Sequence, residues 1–228
     1  THAYDPYDAL VSSTRTGPGL VPSGQSRTYG LDARGYLLSE DLPEIDGIVT
    51  YKPDALGLPR RTFDGLNTLD HVFDGAGRLV EVKDLSGKQW KLLIYGQAND
   101  GTSRRKGKLE HILRVNEQDG GEDLGIVETY EYRAALGKAS RLTTKIYYPE
   151  RPRGSQFGAS FQQDFAYDRF GNVRAYSYPK CVTNGDNETP CNDGDDRLAP
   201  SHTVTTTFNQ GIPRTVTSSL GPWATTSY

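Results

Sequence analysis

Aromatic residues stand at Tyr29, Tyr51, Phe73 and Tyr95, a spacing of 22 residues each time. A fixed period in the twenties marks a repeat architecture, in which each unit buries its surfaces against its neighbours. Each aromatic is followed by a short polar stretch and a glycine: Tyr29 with Gly35, Tyr51 with Gly57, Phe73 with Gly77, and Tyr95 with Gly107 across a longer loop. The third copy shows the physics. Phe73 closes a strand, where an aromatic sits well on a pleated surface. Asp74 can bond the turn backbone two residues on, and Gly77 supplies a positive φ without a Cβ clash. The chain then leaves as a second strand with Val80 and Val82 on one face. The unit is therefore a β-hairpin, and two strands of about eight residues with their two turns fill the period.

The stretches FDGAGRLVEVKDLSG (Phe73–Gly87) and YDRFGNVRAYSYP (Tyr167–Pro179, with Asp168 and Gly171) resemble the YD repeat of the RHS/YD-repeat family. That family includes bacterial Rhs proteins, the cocoon subunits of Tc toxins, and the teneurins. Other copies depart from the pattern. Gly30 and Lys52 stand where Asp is usual, Asp8 stands where Gly is expected, Tyr132 pairs with Gly137, and Phe208 with Gly211 is short by a residue. The resemblance covers most of residues 1–228 as one repeat region. It runs through regular repeats over 29–115, irregular ones over 126–178, a Cys- and Asp-rich insertion over 179–200, and a terminal hairpin over 201–219.

The resemblance implies an all-β fold, with repeated long β-hairpins forming a spiralling antiparallel sheet, an open or partial shell. In Rhs and Tc toxins such shells enclose a toxic C-terminal domain. In teneurins they form part of an extracellular adhesion scaffold. The implied role is a non-enzymatic shell or scaffold segment of a large secreted or cell-surface protein, bacterial in origin. Its partners would be neighbouring repeats of a longer chain, or other copies joined through strand edges into a filament. The family's self-cleavage motif, a DPxGL-like sequence, has only a poor match at Asp5-Pro6-Tyr7.

Composition agrees with many turns and wet sheets. Hydrophobic residues make up 35%, while Gly (25) and Tyr (14) are plentiful. Abundant aromatic and β-branched residues argue against disorder. A formal charge of −3 gives no reason to expect nucleic acid. No apolar run approaches the roughly 20 residues of a membrane helix. Methionine is absent, which points to a mature or excised piece of something longer. Periodicity predicts no helix beyond about two turns. Trp90, Leu92 and Ile94 alternate with Lys91, Leu93 and Tyr95, so both faces of that strand are partly apolar and a covered, central strand is expected.

Few residues nominate chemistry. Cys181 and Cys191 flank the nine-residue loop of CVTNGDNETPC. They read as a disulfide pinning a loop outside the cytoplasm, with two reduced thiols as the alternative. Residues 184–196 are crowded with Asn, Asp and Glu, a set of hard oxygen ligands that suits calcium, although ordinary turn chemistry accounts for them better. His71 and His111 lie on strands and read as packed or surface residues. No serine stands in a nucleophile elbow, and nothing nominates a carboxylate pair for a glycan-active enzyme. Loops 96–107 and 179–200 offer a second reading, an extracellular adhesion module that binds a glycan or a surface protein. The first copy and the Thr203–Ser219 hairpin are weakly protected sheet edges, and cover is expected for at least one of them.

Overall fold

The computed structural model describes residues 1–17, 24–99, 101, 103–116, 123–148, 157–181, 203–209 and 212–219. Apart from one turn of 3-10 geometry at Ala135–Gly137, every described element is a strand. The chain divides into two compact units, Thr1–Trp90 and Lys91–Tyr228.

The first unit is an antiparallel meander. Its strands are β1 (His2–Tyr4), β2 (Leu10–Thr16), β3 (Gly24–Leu31), β4 (Leu37–Asp41), β5 (Ile48–Pro53), β6 (Pro59–Phe63), β7 (Thr68–Phe73) and β8 (Leu79–Asp84). Each pairs with the next. Strand β9 (Gln89–Tyr95) crosses the division, and its residues from Lys91 onward pair with β10 (Leu109–Asn116). The second unit continues through β11 (Leu124–Glu131), β12 (Arg141–Tyr147), β13 (Phe157–Tyr167) and β14 (Val173–Ser177). A two-residue strand, β15 (Lys180–Cys181), adds to β13. Strands β16 (Thr203–Asn209) and β17 (Ile212–Ser218) close the unit, with β16 against β14. The all-β hairpin architecture expected from the repeat is the one observed.

Six hairpins share one irregularity. Beside the turn the register slips, giving the pairs Tyr4↔Leu10, Leu31↔Leu37, Pro53↔Pro59, Phe73↔Leu79, Tyr95↔Leu109 and Tyr167↔Val173. A bulge placed next to a turn bends the strand and fixes its register. The residue two after the turn glycine, or after Asp8 in the first hairpin, is apolar in all six.

The faces of the first unit differ. Tyr51, Thr62, Leu69, His71 and Val82 share one face by register, with Val49 beside them. Across the other face runs a charged row, Lys52↔Arg61↔Asp70↔Lys83, in which Arg61 donates to Asp70. Among the described residues only Val49, Val82 and Val204 are buried apolar side chains, and none is completely enclosed. The expectation that β9 is covered fails: Ile94 is 44% exposed. Apolar residues on both faces here mark a single layer, half-shielded by neighbours in its own sheet. Gly125, on β11, is an exception to this looseness. It is buried, and the Tyr147 ring of the paired strand lies over the space a Cβ would fill.

Both terminal strands keep an open side, since β1 pairs only with β2 and β17 only with β16 among the described residues. Cys191, residues 182–200 and Gly211 lie outside the described residues, and so do the disulfide and calcium expectations placed there.

Gly125→Val is expected to destabilise the chain by about 1–3 kcal/mol, because the Tyr147 ring must leave its place. Urea unfolding of the variant against the parent checks this.

Candidate interaction surface: the stacked aspartate turns

One turn is built repeatedly. In the third hairpin the Asp74 N–H donates to the Arg78 carbonyl (2.9 Å) and the Gly77 N–H donates to the Asp74 carbonyl (3.0 Å). Asp74 Oδ1 accepts the N–H groups of Ala76 (2.9 Å) and Arg78 (3.0 Å). The same four bonds, residue for residue, are made by the turns that open at Asp5, Asp32, Asp54, Asp84 and Asp168. The fourth residue has a positive φ in every case: Gly35, Gly57, Gly77, Gly87, Gly171 and, in the first turn, Asp8 at 65°. Asp tolerates this conformation better than most side chains do.

Two turns lack the carboxylate. Gly96 stands in the Asp place of the long loop, where Gly96 N–H donates to Lys108 O (2.9 Å) and Gly107 N–H to Gly96 O (2.8 Å). The extra residues are thus inserted inside an otherwise ordinary turn. In the other, Gly137 N–H donates to Ala134 O at 3.1 Å.

Neighbouring turns touch through a regular device. At four turns the residue after an earlier turn's glycine lies over the later glycine, whereas Gly35 and Gly87 are open. A Cβ on Gly57 would sit 2.7 Å from the Tyr36 ring, and one on Gly77 would sit 3.8 Å from Leu58 Cδ1. Lys108 covers Gly137, donating to its carbonyl, and Lys138 covers Gly171. Lys108 Nζ also lies 4.8 Å from the centroid of the Tyr132 ring, and Lys138 Nζ lies 5.4 Å from that of Tyr167. A second tie runs the opposite way. Tyr132 Oη donates to Leu109 O (2.6 Å) and Tyr167 Oη to Ala139 O (2.8 Å), while His71 Nδ1 lies 2.9 Å from Pro59 O. Each of those carbonyls belongs to the residue two after the preceding turn's glycine.

The aromatics singled out by their spacing occupy two registers. Phe73, Tyr95 and Tyr167 directly precede the first turn residue, whereas Tyr29 and Tyr51 stand three residues before Asp32 and Asp54. Gly30 and Lys52 are therefore ordinary strand residues, not replaced aspartates. Tyr132 stands two before Ala134. Phe208 pairs with Pro213 in the last hairpin. The sequence reading missed the covering residues Tyr36, Leu58, Lys108 and Lys138. It also missed the apolar position two after the glycine, which recurs and could have been found by aligning the turns on Asp and Gly.

The electrostatics are those of anchors. The carboxyls of Asp32, Asp74, Asp84 and Asp168 are all held below their ordinary value. The leading causes are the Tyr36 N–H, the Arg78 guanidinium, the Ser86 hydroxyl and the Asn172 amide, respectively. For Asp54 the desolvation that opposes ionisation is outweighed by Arg60 and the N–H groups of Leu56 and Leu58. Burial, reinforced by a bond to Glu40, pushes the Tyr51 hydroxyl up to about 12, and burial with Glu128 does the same for Tyr130. His111 Nδ1 lies 3.0 Å from Thr129 Oγ1. These groups hold backbone and neighbours in fixed places.

A solved structure shares this fold. The chain matches part of a chain in the crystal structure of TcdB2-TccC3-Cdc42 with a TM-score of 0.53 and 13% identity, over 99% of its own length and 11% of that chain. A Photorhabdus luminescens Tc holotoxin pore matches at a TM-score of 0.44 and 13% identity, over 97% of this chain and 11% of that one. The chain thus spans about a tenth of the length of these relatives. No protein-family profile matches it, and no curated protein does.

Three outcomes follow from the turn geometry. Gly57→Ala and Gly77→Ala both force a side chain into positive φ, a cost of about 1–2 kcal/mol. Gly57→Ala is expected to cost more because of Tyr36, and the difference should vanish in a Tyr36→Ala background in a double-mutant cycle. Tyr132→Phe and Tyr167→Phe are each expected to lose about 0.5–1.5 kcal/mol in urea unfolding, with the ring kept and one hydrogen bond removed. The depressed aspartates bind protons more weakly folded than unfolded. Their contribution is fully present above the ordinary carboxylate value of 3.8 and is lost as pH falls through the lower folded values. An acid titration of ellipticity should show the parent losing stability below about pH 4, and Asp74→Asn should flatten that slope.

Proposed function

We propose that this chain is a non-enzymatic shell or scaffold segment of a larger extracellular or cell-surface protein of the YD-repeat kind. The observation that supports this most directly is the stacked turn. The same hydrogen-bond set recurs through five turns of the first unit and returns at Asp168 in the second, and in both units a residue from one turn covers the glycine of another. Aspartates are consumed in holding backbone, so the repeat's most characteristic acid groups are structural. The fold likeness to a stretch of a TcdB2-TccC3 chain, covering nearly all of this chain and a small part of that one, agrees with a section of wall. A single-layer sheet with one more apolar face, as in the first unit, suits a wall whose inner and outer surfaces meet different surroundings. The open sides of β1 and β17 are where preceding and following strands would add, from a longer chain or another copy. This role needs no metal and no cofactor.

Electron microscopy of the full-length parent protein tests the reading. The expected result places these hairpins in the continuous wall of a closed or partial shell, with strands added at β1 and β17. A projecting domain with both edges free, retaining a glycan or surface protein on an array, would replace it with the adhesion reading.

A further inference from the structure

Apolar crests stand on turns of both units, Tyr7 and Leu56 in the first among them, but Arg34, Arg60 and Arg78 beside the first unit's turns are held in ion pairs, and the second unit's rim differs in its cations. Three of its turns lie side by side. A Cβ on Gly137 would sit 3.5 Å from Arg104 Cβ of the long loop, and one on Gly171 would sit 3.2 Å from Leu136 Cδ1 and 3.0 Å from Lys138 Cε. Along this row, Leu136 is 62% exposed and Phe170 is 66% exposed, each at the crest of its turn. Arg104, Lys138 and Arg169 flank these turns, and Lys106 directly precedes the long loop's Gly107; all four are exposed. None of the four is in an ion pair among the described residues. Arg169 lies against the Phe170 ring at 4.6 Å, and Lys138 lies over Tyr167, so both cations flank the apolar crests.

Nearby carboxylates are already engaged. Glu110 pairs with Arg105, Glu131 with Arg133 at 3.0 Å, and both oxygens of Asp168 accept turn donors. Asp100, outside the described residues, adds one negative charge to the loop by sequence. The rim is thus locally positive on a chain of formal charge −3, and its cations flank outward-pointing apolar groups.

We infer that this rim docks on the surface of a phospholipid bilayer bearing anionic headgroups. Leu136 and Phe170 enter the headgroup–acyl boundary, while the arginine and lysine side chains meet the phosphates. Two signals together, shallow apolar insertion and several basic contacts, are what reversible surface binding requires. A purely acidic protein partner would need the cations but has no use for two apolar crests standing clear of the backbone. The inference is independent of the shell reading and concerns only these three turns.

The test is co-sedimentation of the chain with phosphatidylcholine vesicles with and without phosphatidylserine. Binding is expected only with phosphatidylserine, weakening as salt rises. Lys106→Gln and Arg104→Gln should each reduce affinity about fivefold. Phe170→Ser should abolish sedimentation, and in Phe170→Trp the added fluorescence should shift to the blue on anionic vesicles. Leu66→Ser, at a turn crest of the first unit that is 90% exposed, should change nothing. All these sites are exposed, and an unchanged thermal midpoint shows the variants folded. Equal binding to neutral vesicles, equal loss with Leu66→Ser, or capture of polyglutamate without capture of vesicles would overturn the inference. The last outcome would assign the rim to an acidic protein instead.

Discussion

The carboxylate of one aspartate, accepting two backbone N–H groups across a five-residue turn, is the interaction on which this architecture depends. A sheet with almost no enclosed side chains gains little from burial. Its order must come from backbone ladders and from whatever fixes the register of each hairpin. The Asp oxygen closes the turn, the left-handed fourth residue reverses the chain, and the bulge that follows sets which side chains face which side. A slip of one residue would carry every side chain to the opposite face. The turn is therefore the device that keeps the apolar stripe of β5 to β8 on one side and the charged row on the other.

Much of this was legible in the chain. Asp74 with Gly77, and Asp168 with Gly171, announce the turn directly, because only a short acceptor side chain followed by a residue tolerant of positive φ can form it. Asp8 was recognisable as the glycine substitute for the same reason. The long loop from Tyr95 to Gly107 was identifiable as one more turn with an insertion. The register of the aromatics was less legible. Tyr29 and Tyr51 imitate the spacing of Phe73 and Tyr95 because a strand has period two, so an aromatic two residues early points to the same face. Spacing alone cannot tell those registers apart, whereas the turn Asp can.

Contacts between repeats were not legible at all from a local pattern. Tyr36 over Gly57, and Lys108 over Gly137, join residues more than 20 positions apart with different side chains doing the same task. A ring, an isobutyl group and an ammonium-tipped chain share only the ability to lie flat across a bare backbone. Chemistry that accepts such varied residues leaves no consensus letter. The β9 strand misled for a related reason: apolar groups on both faces of a strand usually mean two covering layers, yet here they serve lateral packing within one.

The covering contact has a direction. At each of the four covered glycines, Gly57, Gly77, Gly137 and Gly171, the earlier turn supplies the side chain and the later turn supplies the bare glycine. A chain emerging from the ribosome amino end first would therefore present each of these later turns to a completed neighbour that already holds its lid. Assembly can then proceed as an ordered zipper, with no need for a distant segment to arrive before a hairpin is secured, and an error in one lid would be felt by the hairpin still to come.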